Sequence, residues 1–368
     1  MHCHRCCLLF CILLFVFYVT DTVQGQERAI SHAPIGVMGD HYHGQGEWMV
    51  SARYMRMAMG DNRTGTTDLS DTAIINLPNP YQMGTMSTTL SVVPQDMTMD
   101  AVMLGVMYAP LDTITLMGMG RLTDKNMTLN TYRGTMPMGS TGGMSGGMHR
   151  ANLGSFTTST FDLSDLSLSA LVRLYARNVS RVHAEIGIQQ SVGATDAMGE
   201  MLTPMNVRNT IILPYGMQSG DRSTSVISAL TYVATVGGRV YGSQLRSRNA
   251  FATDLWSFGD SLSLTGWIQQ ELVEKTSLSF RATYHKQDSI AGRNPAIIAP
   301  VQTANPANYG GTITEIGVGL NQLISVFPGH HADRVGIELT YPVVQDLNGP
   351  QMKSGLKFQV GYQKSFEF

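Results

Sequence analysis

The chain has 368 residues, of which 43% are hydrophobic and only 14% charged, with a formal net charge of −2. That balance gives no basis for binding nucleic acid or for a polybasic contact with a membrane surface, and it is poor in charge for a soluble domain. The four cysteines, Cys3, Cys6, Cys7 and Cys11, all lie near the start, so the rest of the chain has neither thiol nor disulfide and any metal chemistry must use other ligands.

Residues 1–25 read as an export signal, with a basic start at His4 and Arg5, an apolar run from Cys6 to Val19, and small residues at Val23 and Gly25. The run is too short for a spanning helix, and no later stretch approaches the ~20 apolar residues that one requires. Residues 26–47 are expected to be a periplasmic segment, and residues 48–368 one continuous domain.

Period-two alternation marks the strands. They are expected near 48–59, 98–108, 113–122, 165–174, 182–190, 225–234, 239–248, 261–270, 277–285, 314–326, 334–341 and 357–368. Ala184, Ile186 and Ile188 oppose His183, Glu185 and Gln189, and Leu278, Phe280 and Tyr284 oppose Ser279, Arg281 and His285. Short connections at 109–112, 175–181, 235–238, 271–275 and 328–333 alternate with longer ones at 60–97, 123–164, 191–224, 249–260, 286–311 and 342–354. The last strand places Phe358, Val360, Tyr362, Phe366 and Phe368 on one face, interrupted by Lys364, and Lys357, Gln359, Gln363, Ser365 and Glu367 on the other. A chain that ends on an aromatic residue after such a strand resembles the closing strand of a bacterial outer-membrane barrel. There Phe368, Phe366, Tyr362 and Val360 would form the assembly signal read by the barrel-assembly machinery. The expected fold is an all-β antiparallel transmembrane barrel of about twelve strands, with short periplasmic turns and long external loops, in the lipid bilayer of the outer membrane. A secreted β-sandwich or propeller is the competing fold, but its outward face would be polar.

Of the 24 methionines, those from Met38 to Met148 crowd the first third of the chain and follow strand periodicity. Met55, Met57 and Met59 share a face with Arg53; Met97, Met99, Met103 and Met107 share another; Met117 and Met119 share a third with Arg121. An arginine facing mid-bilayer lipid costs roughly 2–4 kcal/mol, so the faces with Arg53 and Arg121, and the methionines with them, are expected to line the lumen. Arg56 lies on the opposite face, ~20 Å along the membrane normal from Trp48, near the outer interface.

A thioether lining suits permeation of small apolar solutes or simple packing, since methionine fills irregular interiors. It also suits soft ions such as Cu(I) and Ag(I). Asp40, His41 and His43 before the first strand, and Met144, Met148 and His149 in the second long loop, are the candidate metal ligands. Gly143-Met-Ser145-Gly-Gly147 matches a nucleophile elbow by spacing alone, without a strand-to-helix turn or acid and histidine partners. The His330-His331 pair reads as solvated turn residues. Asn62, Asn126 and Asn178 fit the glycosylation sequon, which is read only in a eukaryotic secretory pathway. No phosphate loop or paired catalytic carboxylates emerge, so no enzyme activity is expected.

The segment His32 to Met59, with Asp162 to Leu171 and Pro342 to Pro350, resembles a poorly characterised family of bacterial outer-membrane proteins described as transporter-like or meta-pathway phenol-degradation-like. The resemblance implies a barrel with a permeation role and supplies no functional residues. The leading expectation is an outer-membrane channel or transporter for small, partly apolar solutes. Soft-metal efflux or sequestration, and a structural barrel without transport, are the alternatives.

Overall fold

The computed structural model describes residues 28–367, except for 85, 136–149, 178 and 326–332 and the side chain of Glu367. The expected signal segment, Met144, Met148, His149, the Gly143–Gly147 motif, Asn178, the His330-His331 pair and Phe368 lie outside the described residues.

The strands are β1 (Glu47–Gly65), β2 (Thr67–Leu69), β3 (Val92–Leu111), β4 (Ile114–Tyr132), β5 (Asn152–Arg177), β6 (Ser180–Ser191), β7 (Met198–Leu202) and β8 (Arg208–Ile212). They continue with β9 (Thr224–Val236), β10 (Arg239–Ala252), β11 (Trp256–Ser257), β12 (Ser261–Val273), β13 (Thr276–Gln287), β14 (Ala291–Gly292), β15 (Gly311–Ile324) and β16 (Asp333–Glu367). One short helix, α1 (Asp71–Ile75), is capped by Ser70, whose side chain accepts from the Ala73 N–H. Among the described residues no helix is long and apolar enough to cross a membrane.

Eleven elements close into one antiparallel sheet in the order β1-β3-β4-β5-β6-β9-β10-β12-β13-β15-β16, with β16 returning to β1 and β2 attached outside. A ring of antiparallel neighbours needs an even number of staves, and β16 supplies the extra one by doubling back. Its first part, Asp333 to Leu347, pairs with β15, and the remainder, to Glu367, pairs with β1. Lys364 Nζ lies 3.1 Å from Asp333 Oδ1, and Gln345 Nε2 donates to the Ser354 carbonyl at 2.9 Å. A straight strand would hold Asp333 and Lys364 about 100 Å apart. The expected strands at 334–341 and 357–368 are thus the two arms of one hairpin, and the loop expected at 342–354 is largely strand.

Two other expected loops also contract. Residues 123–132 and 152–164 extend β4 and β5, so the connection is 133–151 rather than 123–164. Short and long links alternate from β1 to β15, and the alternation ends at β16, whose own reversal replaces the last expected loop. Gly237 and Gly238, both at positive φ (57° and 76°), make the two-residue turn between β9 and β10. This is the backbone of a hairpin turn that L side chains rarely adopt.

The outside of the barrel is apolar: Leu168, Ile186, Leu230, Leu264, Phe280, Ile316 and Leu339 are all exposed. Buried charges lie inside. Arg281 pairs with Glu338, Arg246 with Glu185, and Lys357 Nζ with Glu315 Oε1 at 2.6 Å. Trp48 stacks on Tyr108 with ring centroids 4.4 Å apart and sits beside Phe366 in register, forming an aromatic patch at the short-turn end. Lys364 interrupts the apolar row of its strand by pairing with Asp333 at that same rim. Arg56 is exposed and lies 3.8 Å from Asp100, whose carboxylate also accepts the Tyr54 hydroxyl at 2.6 Å.

Candidate functional site

The residues before β1 do not form a separate segment. From Arg28 to Gln45 they run through the barrel interior as a plug without regular secondary structure, so their backbone polar groups need partners from the wall. Gln269 and Ser277 both donate to the Ala29 carbonyl, at 3.2 and 2.9 Å. Arg181 donates to Ser31 O at 3.0 Å and Arg334 to Ala33 O. Arg53 Nη1 donates to the carbonyls of Ile35 (2.8 Å) and Val37 (3.1 Å), Gln244 to Met38 O (2.9 Å), and the Gly39 carbonyl meets His183 Nε2 at 2.8 Å. These partners come from six strands around the ring. Ile30, Ala33 and Val37 pack with Val233, Val240 and Trp267, adding an apolar contact. Asp40, His41 and His43, expected to precede the barrel, are therefore buried within it.

The methionine faces meet across strands. Met49, Met107 and Met117 are register partners in sequence across β1, β3 and β4, as are Met59, Met97 and Met127. Between these rows, Arg53, Met103 and Arg121 align, and Arg121 Nε donates to Asp165 at 2.8 Å. Met49, Met107 and Met117 pack with Leu171 as ordinary core.

Three spaces lie along this wall. A cavity of about 20 Å³ against the plug is lined by Met38, Asp40, His41, Met49, Arg53, Met103, Met107, Met117 and Met119. Above it a chamber of about 410 Å³ is lined by Met57, Met59, Met97, Met99, Arg121, Lys125, Met127, His285 and Tyr309. A polar chamber of about 280 Å³ adjoins it through Arg121, Phe258, His285 and Gln287 and adds Asp165, Asp221, Arg248 and several serines. Met55 lies on the same β1 face but lines none of the three.

The chambers are covered at the far end by the long connections. Tyr215 and Met217 from 192–223, and Ile297, Val301 and Ala304 from 288–310, pack with Val92, Met97, Met127 and Phe156. Lys125 Nζ holds the first connection by donating to the carbonyls of Gly216 (3.0 Å) and Gln218 (2.5 Å). The Tyr309 hydroxyl ties both together, donating to Thr303 O at 2.8 Å and accepting from Gly216 N at 2.9 Å. Burial raises its pKa far above the usual value, so this hydroxyl stays protonated.

Lys125, His285 and Arg248 were missed as lining residues. Lys125 shares the parity of Arg121, so extending β4 by two pairs of residues identifies it. The plug carries no periodic signal.

A closed antiparallel barrel with an apolar outer surface and a charged, plugged interior is the fold of outer-membrane β-barrel channels. The crystal structure of an outer-membrane channel from Pseudomonas putida F1 is similar, with a TM-score of 0.53 and 13% identity, covering 90% of this chain and 99% of that one. A Pseudomonas aeruginosa FadL homologue has a TM-score of 0.41 and 8% identity, covering 86% and 90% of the two chains. The P. putida toluene transporter TodX has a TM-score of 0.40 and 9% identity, covering 89% and 91%. No protein-family model and no curated protein matches the chain.

Proposed function

We propose that the protein is an outer-membrane channel for small, partly apolar solutes, in a closed state. The observation that carries this reading is the pair of adjoining chambers inside a barrel whose two ends are stopped by the plug and by the inward-folded connections. The larger chamber lies in the usual size range for small-molecule sites and combines methionine walls with Arg121, Lys125 and His285. That mixture suits a solute with an apolar body and a polar end.

The exposed apolar face and the Trp48, Tyr108 and Phe366 patch support a lipid bilayer environment, with the patch at one interface. On this reading residues 1–25 are removed on export, the terminal strand engages the barrel-assembly machinery, and the short turns face the periplasm. Purified protein in liposomes should admit small aromatic solutes in swelling assays and give resolvable conductance in planar bilayers. Absence of flux for every solute, even after deletion of residues 28–46, would leave only a structural barrel.

Storage or efflux of Cu(I) or Ag(I) is the second reading, favoured by the six methionines around the small cavity. Arg53 counts against it, because its guanidinium lies in that cavity and donates to Met38 Sδ at 2.8 Å. Replacing Met49, Met107, Met117 and Met119 with Leu should leave Ag(I) uptake unchanged if the channel reading holds; loss of uptake would favour the metal reading.

A further inference from the structure

The plug folds back on itself to bring His32 beside the adjacent pair Asp40 and His41. His32 Nδ1 lies 3.3 Å from His41 Nδ1, and His41 Nδ1 lies 3.0 Å from Asp40 Oδ1. The donor atoms of His32, Asp40 and His41 all lie within 4.8 Å of one another, and all three residues are buried. Two ligands each bound at about 2.0–2.1 Å to a tetrahedral ion stand about 3.3 Å apart, so the His32–His41 and His41–Asp40 separations are close to two edges of such a site. The support around it is built. Asp40 Oδ2 accepts the Ala33 N–H at 2.7 Å, which aims Oδ1 toward the imidazoles.

His41 is only 6% exposed, and its Nε2 has no hydrogen-bond partner. Nε2 stays unmatched whichever group Nδ1 meets, so the site rests on the geometry of the buried Nδ1 and Oδ1 atoms. The ring of His43 packs on His41 with centroids 4.8 Å apart, but its Nδ1 faces Glu47 at 3.3 Å, so it belongs to the surroundings.

We propose that His32, Asp40 and His41 form a site for one borderline divalent cation such as Zn2+, and that the ion ties the plug into a closed loop. Two imidazoles and one carboxylate suit Zn2+ better than Cu(I), which favours the thioethers of the neighbouring cavity. The loop closed by the ion, residues 32–41, contains Ala33, Ile35, Val37, Met38 and Gly39, five of the seven plug residues named above whose carbonyls meet wall side chains. Metal uptake is measured without reference to transport, so this inference stands or falls separately from the channel reading.

The test is equilibrium dialysis of the chelator-stripped protein in detergent against Zn2+, with metal quantified per chain. Wild type should hold one Zn2+, and His32→Gln, Asp40→Asn and His41→Gln should each weaken binding by at least about tenfold. His43→Gln should retain it. Co2+ provides the second readout, since a tetrahedral site gives intense visible absorption that His41→Gln should abolish. Retained heat-modifiable gel mobility shows that each variant is folded. No stoichiometric Zn2+ in wild type, equal binding in all three variants, or loss only when the cavity methionines become Leu would overturn the site.

Discussion

Gly361 offers a way to expel the plug while sparing the barrel. It lies in β16 beside Ile35, and a Cβ there would stand 2.7 Å from Ile35 Cδ1 and 2.9 Å from Cγ1, with Arg53 Cγ at 3.0 Å. Carbon contacts normally settle at about 3.5–4.0 Å, so the Ile35 side chain must shift by the better part of an ångström for Ala and further for Val. Valine suits a strand, and the strain therefore falls on the plug. Ile35 is 2% exposed, and losing its burial costs roughly 1.5–3 kcal/mol. Overpacking adds about 1–3 kcal/mol. Together these shift plug docking by about 10²–10⁴-fold, at ~1.4 kcal/mol per tenfold. Gly361→Val should therefore raise mean single-channel conductance in planar bilayers while keeping heat-modifiable gel mobility, and Gly361→Ala should do so more weakly. Adding Ile35→Gly to Gly361→Val should make room and lower the conductance again. Wild-type conductance in a correctly folded Gly361→Val barrel would refute the coupling between Ile35 packing and closure.

The interior ion pair sets the stability of the wall. Glu338→Gln removes the charge facing buried Arg281 and should destabilise the barrel by about 3–5 kcal/mol, whereas Arg281→Met with Glu338→Leu should recover much of that in the thermal gel-shift midpoint. Lys125→Met removes the tie to Gly216 and Gln218, so limited proteolysis should cut within 192–223 faster than in wild type. Arg121→Met should slow uptake of anionic aromatic solutes more than of neutral ones in liposomes, because the guanidinium lines both chambers. Phe366→Ala should lower the yield of membrane-inserted protein, and an unchanged yield would remove Phe366 from the assembly signal.

The barrel was legible because its strands have two unlike faces. His183 and Glu185 are buried where Ile186 and Ile188 are exposed, and the same parity assigns Met49, Met103 and Met117 to the cavity lining. Strand ends were less legible. Thr123, Lys125 and Met127 continue the inward parity of β4, but the polar residues between them read as loop. The plug was invisible for a different reason. His32, Asp40, His41 and His43 look solvated in a sequence without periodicity, and only the barrel supplies the donors that their neighbouring carbonyls require. A faint signal was present in Ala29, Ile30, Ala33, Ile35 and Val37, an apolar series before the first strand that a free segment would have no reason to carry.

The most direct measurement is the conductance of purified barrel in planar bilayers with and without residues 28–46. Closure by the plug predicts low, intermittent conductance in the intact protein and a sustained rise, with faster entry of small aromatic solutes, after the deletion. Equal conductance from the two proteins, both folded, would contradict it.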